Sequence, residues 1–224
     1  MNVRKILELI LYCLVTFLVC FFLVDWLLPS ASPVMTKTSG TVKKQAFTYV
    51  AIGDSLTQGV GDTTNQGGFV PLLAQSLTNE TDFEVKAINY GVSGNTSAQI
   101  LSRMQEKKEI EKDLKQARLM TLTVGGNDLR KAVLEDTSNL DLDRFDKPAK
   151  RYVKNLKQII DLARKDNPDL PIYVVGIYNP LYLNFPDLTD LQTLVDQWNQ
   201  RTEDTLSAYQ GVYFVPINDL LYKG

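Results

Sequence analysis

The sequence predicts a three-layer α/β/α sandwich on a parallel sheet of roughly five strands. Three observations point there. Five short runs are apolar almost throughout, as strands buried on both faces are. Segments with helical periodicity alternate with them, the pattern of βαβ units. The first three runs each end in glycine and small polar residues, as in open α/β sheets, whose ligands bind beyond the carboxyl ends of the strands.

The elements follow in order. Residues 6–28, "ILELILYCLVTFLVCFFLVDWLL", are nearly unbroken hydrocarbon apart from Glu8 and Asp25, and follow Arg4 and Lys5. About 20 apolar residues span a bilayer. The early charges favour a cytoplasmic N-terminus, with the rest outside. Residues 1–28 therefore read as a membrane anchor in preference to a cleaved signal peptide, whose apolar region is typically about 7–15 residues. A buried core helix is the remaining alternative. Both cysteines, Cys13 and Cys20, fall in this run, so the outer domain has no thiol or disulfide. Residues 29–46, rich in Ser, Thr, Pro and Lys, read as a flexible spacer.

The domain then occupies 47–224. Its strand candidates are 47–53, 83–90, 118–126, 171–177 and 211–217, with helices near 68–79, 96–107, 150–166 and 188–209. In the third helix Tyr152, Leu156, Ile159, Ile160 and Ala163 share one face. The 24 basic and 26 acidic residues nearly cancel, which gives no reason to expect a nucleic-acid partner.

The first strand ends in "GDSLTQG". Ser55 lies there near a helix N-terminus, where backbone N–H groups favour developing negative charge. Helix capping by Asp54 or Ser55 explains the same residues. The loop "GVGDTTNQGG" lacks both phosphate-loop glycine patterns. The second strand ends in "NYGVSGNTS", where Gly91 and Gly94 allow a tight turn, and Thr96 or Ser97 suits a helix cap. The third ends in "TVGGNDL", where the Asn127 amide either donates to an oxyanion or caps the next helix with Asp128. Singly each is ambiguous; together they converge on one side of one sheet. After the fourth strand, "GIYNPLYLNFPDL" offers Tyr178, Asn179, Tyr182 and Phe185 as pocket residues, and Asp54 joins Tyr178 and Asn179 as candidate substrate contacts. Acidic pairs suited to glycoside hydrolysis are not evident at strand ends.

Over about residues 47–217 the chain resembles the GDSL or SGNH hydrolases, an esterase and lipase group with a flavodoxin-like fold. The resemblance implies Ser55 as nucleophile, with Gly94 and Asn127 completing an oxyanion hole together with the Ser55 backbone N–H. It implies an ester or acylated substrate (a lipid, a small ester or an O-acetylated glycan), no metal and no cofactor. Similar members are anchored or secreted in Gram-positive bacteria, so a single-pass cell-membrane protein with its domain outside is expected.

One family block is missing. Its D-x-x-H motif carries the histidine base, and this chain has no histidine. The closing "VPINDLLYKG" has Asp219-x-x-Tyr222 instead, which reads more simply as a short helical turn. The expectation is an incomplete domain, lacking a final loop and helix, with exposed apolar sheet surface and weak activity. The alternative is a non-catalytic module that holds cell-wall glycan or acyl groups.

Overall fold

The computed structural model describes residues 44–135, 142–180 and 189–222. The expected anchor and most of the spacer lie outside the described residues. Among those described, no helix is long and apolar enough to cross a membrane.

Five strands form one sheet: β1 (Gln45–Gly53), β2 (Phe83–Gly91), β3 (Leu119–Thr123), β4 (Ile172–Val175) and β5 (Val212–Val215). Their order is β2-β1-β3-β4-β5 and every pairing is parallel. All carboxyl ends therefore lie along one edge, and the ends of β2, β1 and β3 are neighbours. Eight α-helices are described: α1 (Ser55–Gln58), α2 (Phe69–Glu80), α3 (Ser97–Glu106), α4 (Lys108–Gln116), α5 (Gly126–Glu135), α6 (Asp146–Ala163), α7 (Thr189–Leu206) and α8 (Asn218–Tyr222).

Strand alternation sorts the core into two faces. On one, Val50, Ile52, Met120, Leu122, Ile172 and Val174 meet Ile100, Leu114, Leu156, Ile160 and Trp198. The expected stripe Tyr152, Leu156, Ile159, Ile160 and Ala163 is fully buried here. On the other, Tyr49 and Ala51 pack against Val70 and Ala74 of α2. Beyond α2 this second face opens as a trough of about 830 Å³. Thr121, Tyr173, Val175 and Val215 of the sheet and Phe69, Leu73 and Leu77 of α2 line it. The sheet thus has helices on both faces, but among the described residues the cover is unequal, with the apolar trough lying over β3–β5.

Several boundaries differ from the sequence reading. β1 starts at Gln45, two residues inside the expected spacer, because Gln45 and Ala46 pair with Phe83 and Glu84. β2 is an edge strand of alternating exposure, not apolar throughout. β3 stops at Thr123, and its expected last residues form the turn into α5. The helix expected over 96–107 ends at Lys107, whose extended backbone (φ −95°, ψ 101°) separates α3 from α4. α6 starts four residues before its expected Lys150; Pro148 sits in its first turn, where a missing N–H costs nothing.

Candidate active site

Ser55 is the first residue of α1, half-buried, directly after β1. α1 has only four residues, so the negative charge expected to be favoured at a helix N-terminus meets local N–H groups and not a long macrodipole. Asp54 caps it: Oδ1 accepts from the Leu56 N–H at 3.1 Å. The same oxygen accepts from Thr123 Oγ1 at 2.8 Å, and Thr123 Oγ1 accepts from the Asp54 N–H at 3.1 Å. Thr57 Oγ1 lies 2.8 Å from Thr123 Oγ1. Asp54, 6 % exposed, is therefore tied to β3 while lining the floor of a cleft.

The end of β2 is pressed against α1. A Cβ on Gly91 would fall 2.2 Å from the Gln58 nitrogen, so only glycine fits. Asn89 Nδ2 donates to the Thr57 carbonyl at 2.6 Å, and Gln58 Oε1 accepts from the Ser93 N–H at 2.6 Å. Gly94 is at φ +79° with open space around it, so backbone conformation and not crowding selects glycine.

Asn127 lies in the first turn of α5, half-buried. Its Nδ2 donates to the Asn95 carbonyl at 3.0 Å, which ties it to the turn holding Gly94. Asp128 accepts from the Ser97 N–H at 2.8 Å and the Ser97 hydroxyl at 2.5 Å, clamping the start of α3; Asn155 Nδ2 donates to the same hydroxyl at 2.9 Å. Burial pushes the Asp128 carboxyl above its ordinary range, and the nearby Asp54 charge adds to this, against the lowering effect of the Ser97 bonds.

Ser55 and Asn127 open onto one cleft of about 430 Å³. Its walls are apolar: Leu129, Val133 and Leu134 from α5, Leu191 and Val195 from α7, and Ile177 after β4. Tyr178 lines both this cleft and the trough. Gly94 lies outside the cleft lining and reaches the site through its neighbour Asn95. Asn179 is not brought to the cleft: it is 2 % exposed, and its N–H donates to Asn218 Oδ1 at 3.3 Å. Tyr182 and Phe185 lie outside the described residues. Among the described residues no group of three His, Cys, Asp or Glu side chains is placed to hold a metal ion.

Sequence reasoning missed Thr123, Arg103, Asn155 and the Ser97–Asp128 clamp. Alternate threonines in "LMTLT" are the one local hint, since they put two hydroxyls on one face of a buried strand. The arrangement presents a hydroxyl and a side-chain amide donor at the mouth of an apolar cleft. Those are parts suited to acyl transfer.

Comparison with known proteins agrees with this chemistry. Residues 51–224 match the model of the GDSL-like Lipase/Acylhydrolase family. The chain is 32% identical over 203 residues to the uncharacterized protein YpmR of Bacillus subtilis, covering 87% of this chain and 78% of that one. It is 29% identical over 166 residues to the spore germination lipase LipC of Bacillus licheniformis, covering 72% and 76%. Among solved structures, the lipase Lip_vut3 from a goat rumen metagenome shares the fold at a TM-score of 0.67 and 24% identity, covering 78% and 82%. The SGNH-hydrolase family esterase AlinE4 shares it at 0.55 and 21%, covering 76% of each chain. With its parallel five-stranded sheet and a serine at the first strand end, the chain belongs to the GDSL-like lipase and acylhydrolase family.

Proposed function

We propose that the protein is a serine ester hydrolase working by acyl transfer. The observation that carries this is the shared cleft: Ser55 and Asn127 open onto one apolar cavity, and Asn127 is hydrogen-bonded to the turn of Gly94. Ser55 Oγ attacks the ester carbonyl, its proton passes to the departing alcohol, and water then cleaves the acyl-serine to release the acid and restore Ser55. The carbonyl oxygen takes up negative charge, which the Asn127 amide and the Ser55 backbone N–H receive at the cleft, joined by the Gly94 N–H of the adjoining turn as the family resemblance implies. The acyl part lies along Leu129, Val133, Leu191 and Val195, with Tyr178 at the rim. LipC is named a lipase, which supports an acyl ester as the substrate class.

The base is the open position. None of the 224 residues is histidine, so an imidazole acting on Ser55 comes from outside them. The chain by itself then keeps only what an oxyanion hole and binding supply, about 10³–10⁴ over water. The run at 6–28 after Arg4 and Lys5 supports a single-pass anchor with this domain on the outer side of the membrane.

Hydrolysis of p-nitrophenyl acetate tests the reading. With imidazole added as a soluble base, turnover above that of imidazole alone should vanish in Ser55→Ala and fall by about 10²–10³ in Asn127→Ala. Turnover indifferent to Ser55→Ala under these conditions would overturn the nucleophile assignment, and fast Ser55-dependent turnover without imidazole would overturn the missing base. The lack of histidine also favours a second reading, a module that binds acyl groups or cell-wall glycan. Fatty-acid or glycan binding with no Ser55-dependent turnover, even with imidazole added as a soluble base, would select it.

A further inference from the structure

Resting on that assignment of the oxyanion hole, we propose that Arg103 is its positioning residue: the guanidinium staples the turn carrying Gly94, and that turn aims the Asn127 amide. Arg103 lies on α3, six residues after the Ser97 that opens the helix. Its Nη2 donates to the Tyr90 carbonyl at 2.7 Å and its Nη1 to Asn95 Oδ1 at 3.1 Å. Tyr90 stands just before Gly91 and Asn95 just after Gly94, so one rigid fork spans both ends of the turn. The guanidinium suits this because its donors are fixed in one plane.

The second link is Asn95 itself. Arg103 holds its side-chain oxygen, and its carbonyl accepts from Asn127 Nδ2 at 3.0 Å. An amide NH₂ has two donors, and anchoring one sets the plane of the group and hence the direction of the other. With the staple in place, the amide meets developing charge already oriented, which is the condition for electrostatic stabilisation of a transition state. Both stapling acceptors are neutral, and Arg103 is partly desolvated, which lowers its pKa while leaving it charged. A partly buried cation on neutral acceptors is a poor device for stability alone. It is a good one for holding a turn bounded by two glycines, whose backbone is otherwise free to move.

The test is a double-mutant cycle on the 224-residue chain, with p-nitrophenyl acetate and imidazole as soluble base. Arg103→Ala should lower kcat about tenfold with KM within about twofold, as a misaligned donor does. If Arg103 acts through Asn127, the double variant Arg103→Ala/Asn127→Ala is no slower than Asn127→Ala. Arg103→Lys, which keeps the charge but loses the fork, should restore part of kcat. Multiplying effects, or a rise in KM alone, would overturn the proposal. Failure of the underlying assignment shows differently, as hydrolysis unchanged in Ser55→Ala. Backbone amide exchange decides in that case: Arg103→Ala should speed exchange at Gly94 and Asn95 while the core of β1 stays protected. Unchanged exchange at these two sites overturns the staple whatever the activity.

Discussion

Thr123 joins the end of β3 to the turn that presents Ser55. It is 2 % exposed, and one oxygen serves Asp54 twice, accepting from its N–H and donating to its carboxylate. Thr123→Val keeps the shape and removes both bonds, leaving a buried donor and a carboxylate oxygen short of a partner. Unsatisfied buried groups cost about 1–3 kcal/mol each. Urea denaturation should show a loss of that order, with Thr123→Ser close to the parent. Ser55-dependent turnover should fall as well, because the turn loses its tie to the sheet. A variant as stable as the parent would show that the tie is dispensable.

The segment between α1 and α2 is organised by one side chain. Asp62 Oδ1 accepts from the Thr64 N–H at 2.8 Å and the Thr64 hydroxyl at 2.5 Å; Oδ2 accepts from the Gln66 N–H at 2.8 Å and the Gly68 N–H at 3.0 Å. These bonds, the Thr64 hydroxyl first, hold the carboxyl well below the ordinary carboxylate range. A depressed pKa means the contribution is complete above the ordinary range and is lost as pH falls below it. Limited proteolysis should therefore cut 62–68 faster below about pH 4, where an ordinary carboxyl is half-protonated. Asp62→Ala should be cut equally fast at neutral pH, while α6 and the sheet stay intact. Equal protection of parent and variant at neutral pH would remove Asp62 from this role. The glycine-rich loop that fails the phosphate-loop patterns is thus a carboxylate-centred turn. α4 escaped the sequence reading for a local reason as well. In α4 only Ile110 and Leu114 are buried among charged residues, too narrow a stripe to stand out.

Each face of the sheet buries one tyrosine that resists ionisation. Burial pushes Tyr49 up to about 12, although its hydroxyl lies 2.6 Å from Thr121 Oγ1, which acts the other way. Tyr152, buried in the opposite face, is raised further, again by burial first. A folded pKa above the unfolded value gives stability that is full below about pH 10 and lost as pH rises through the folded value. The chain should unfold cooperatively between about pH 10 and 12, with tyrosinate absorbance appearing in the same step as loss of circular dichroism. Tyr49→Phe should make the alkaline fall in stability shallower. Tyrosinate signal well before unfolding would contradict burial of these rings.

Local sequence determined the order of strands and helices, the stripe on α6, and the position of Ser55, Gly94 and Asn127 at three strand ends. Those features depend on periodicity and on residues that tolerate turns, both of which act over a few positions. Only the tertiary structure decided which side chains meet. Asn127 reaches Asn95, 32 residues away, and Thr123 reaches Asp54, 69 away, through the parallel register of three strands. Tyr178 and Asn179 read alike in sequence, yet one lines the cleft and the other is buried against Asn218. Neighbouring residues on an irregular segment point differently according to what packs on them, and that information lies in distant parts of the chain. The turn of Gly94 is the clearest case: its glycine is legible locally, while the arginine that holds it comes from the next helix.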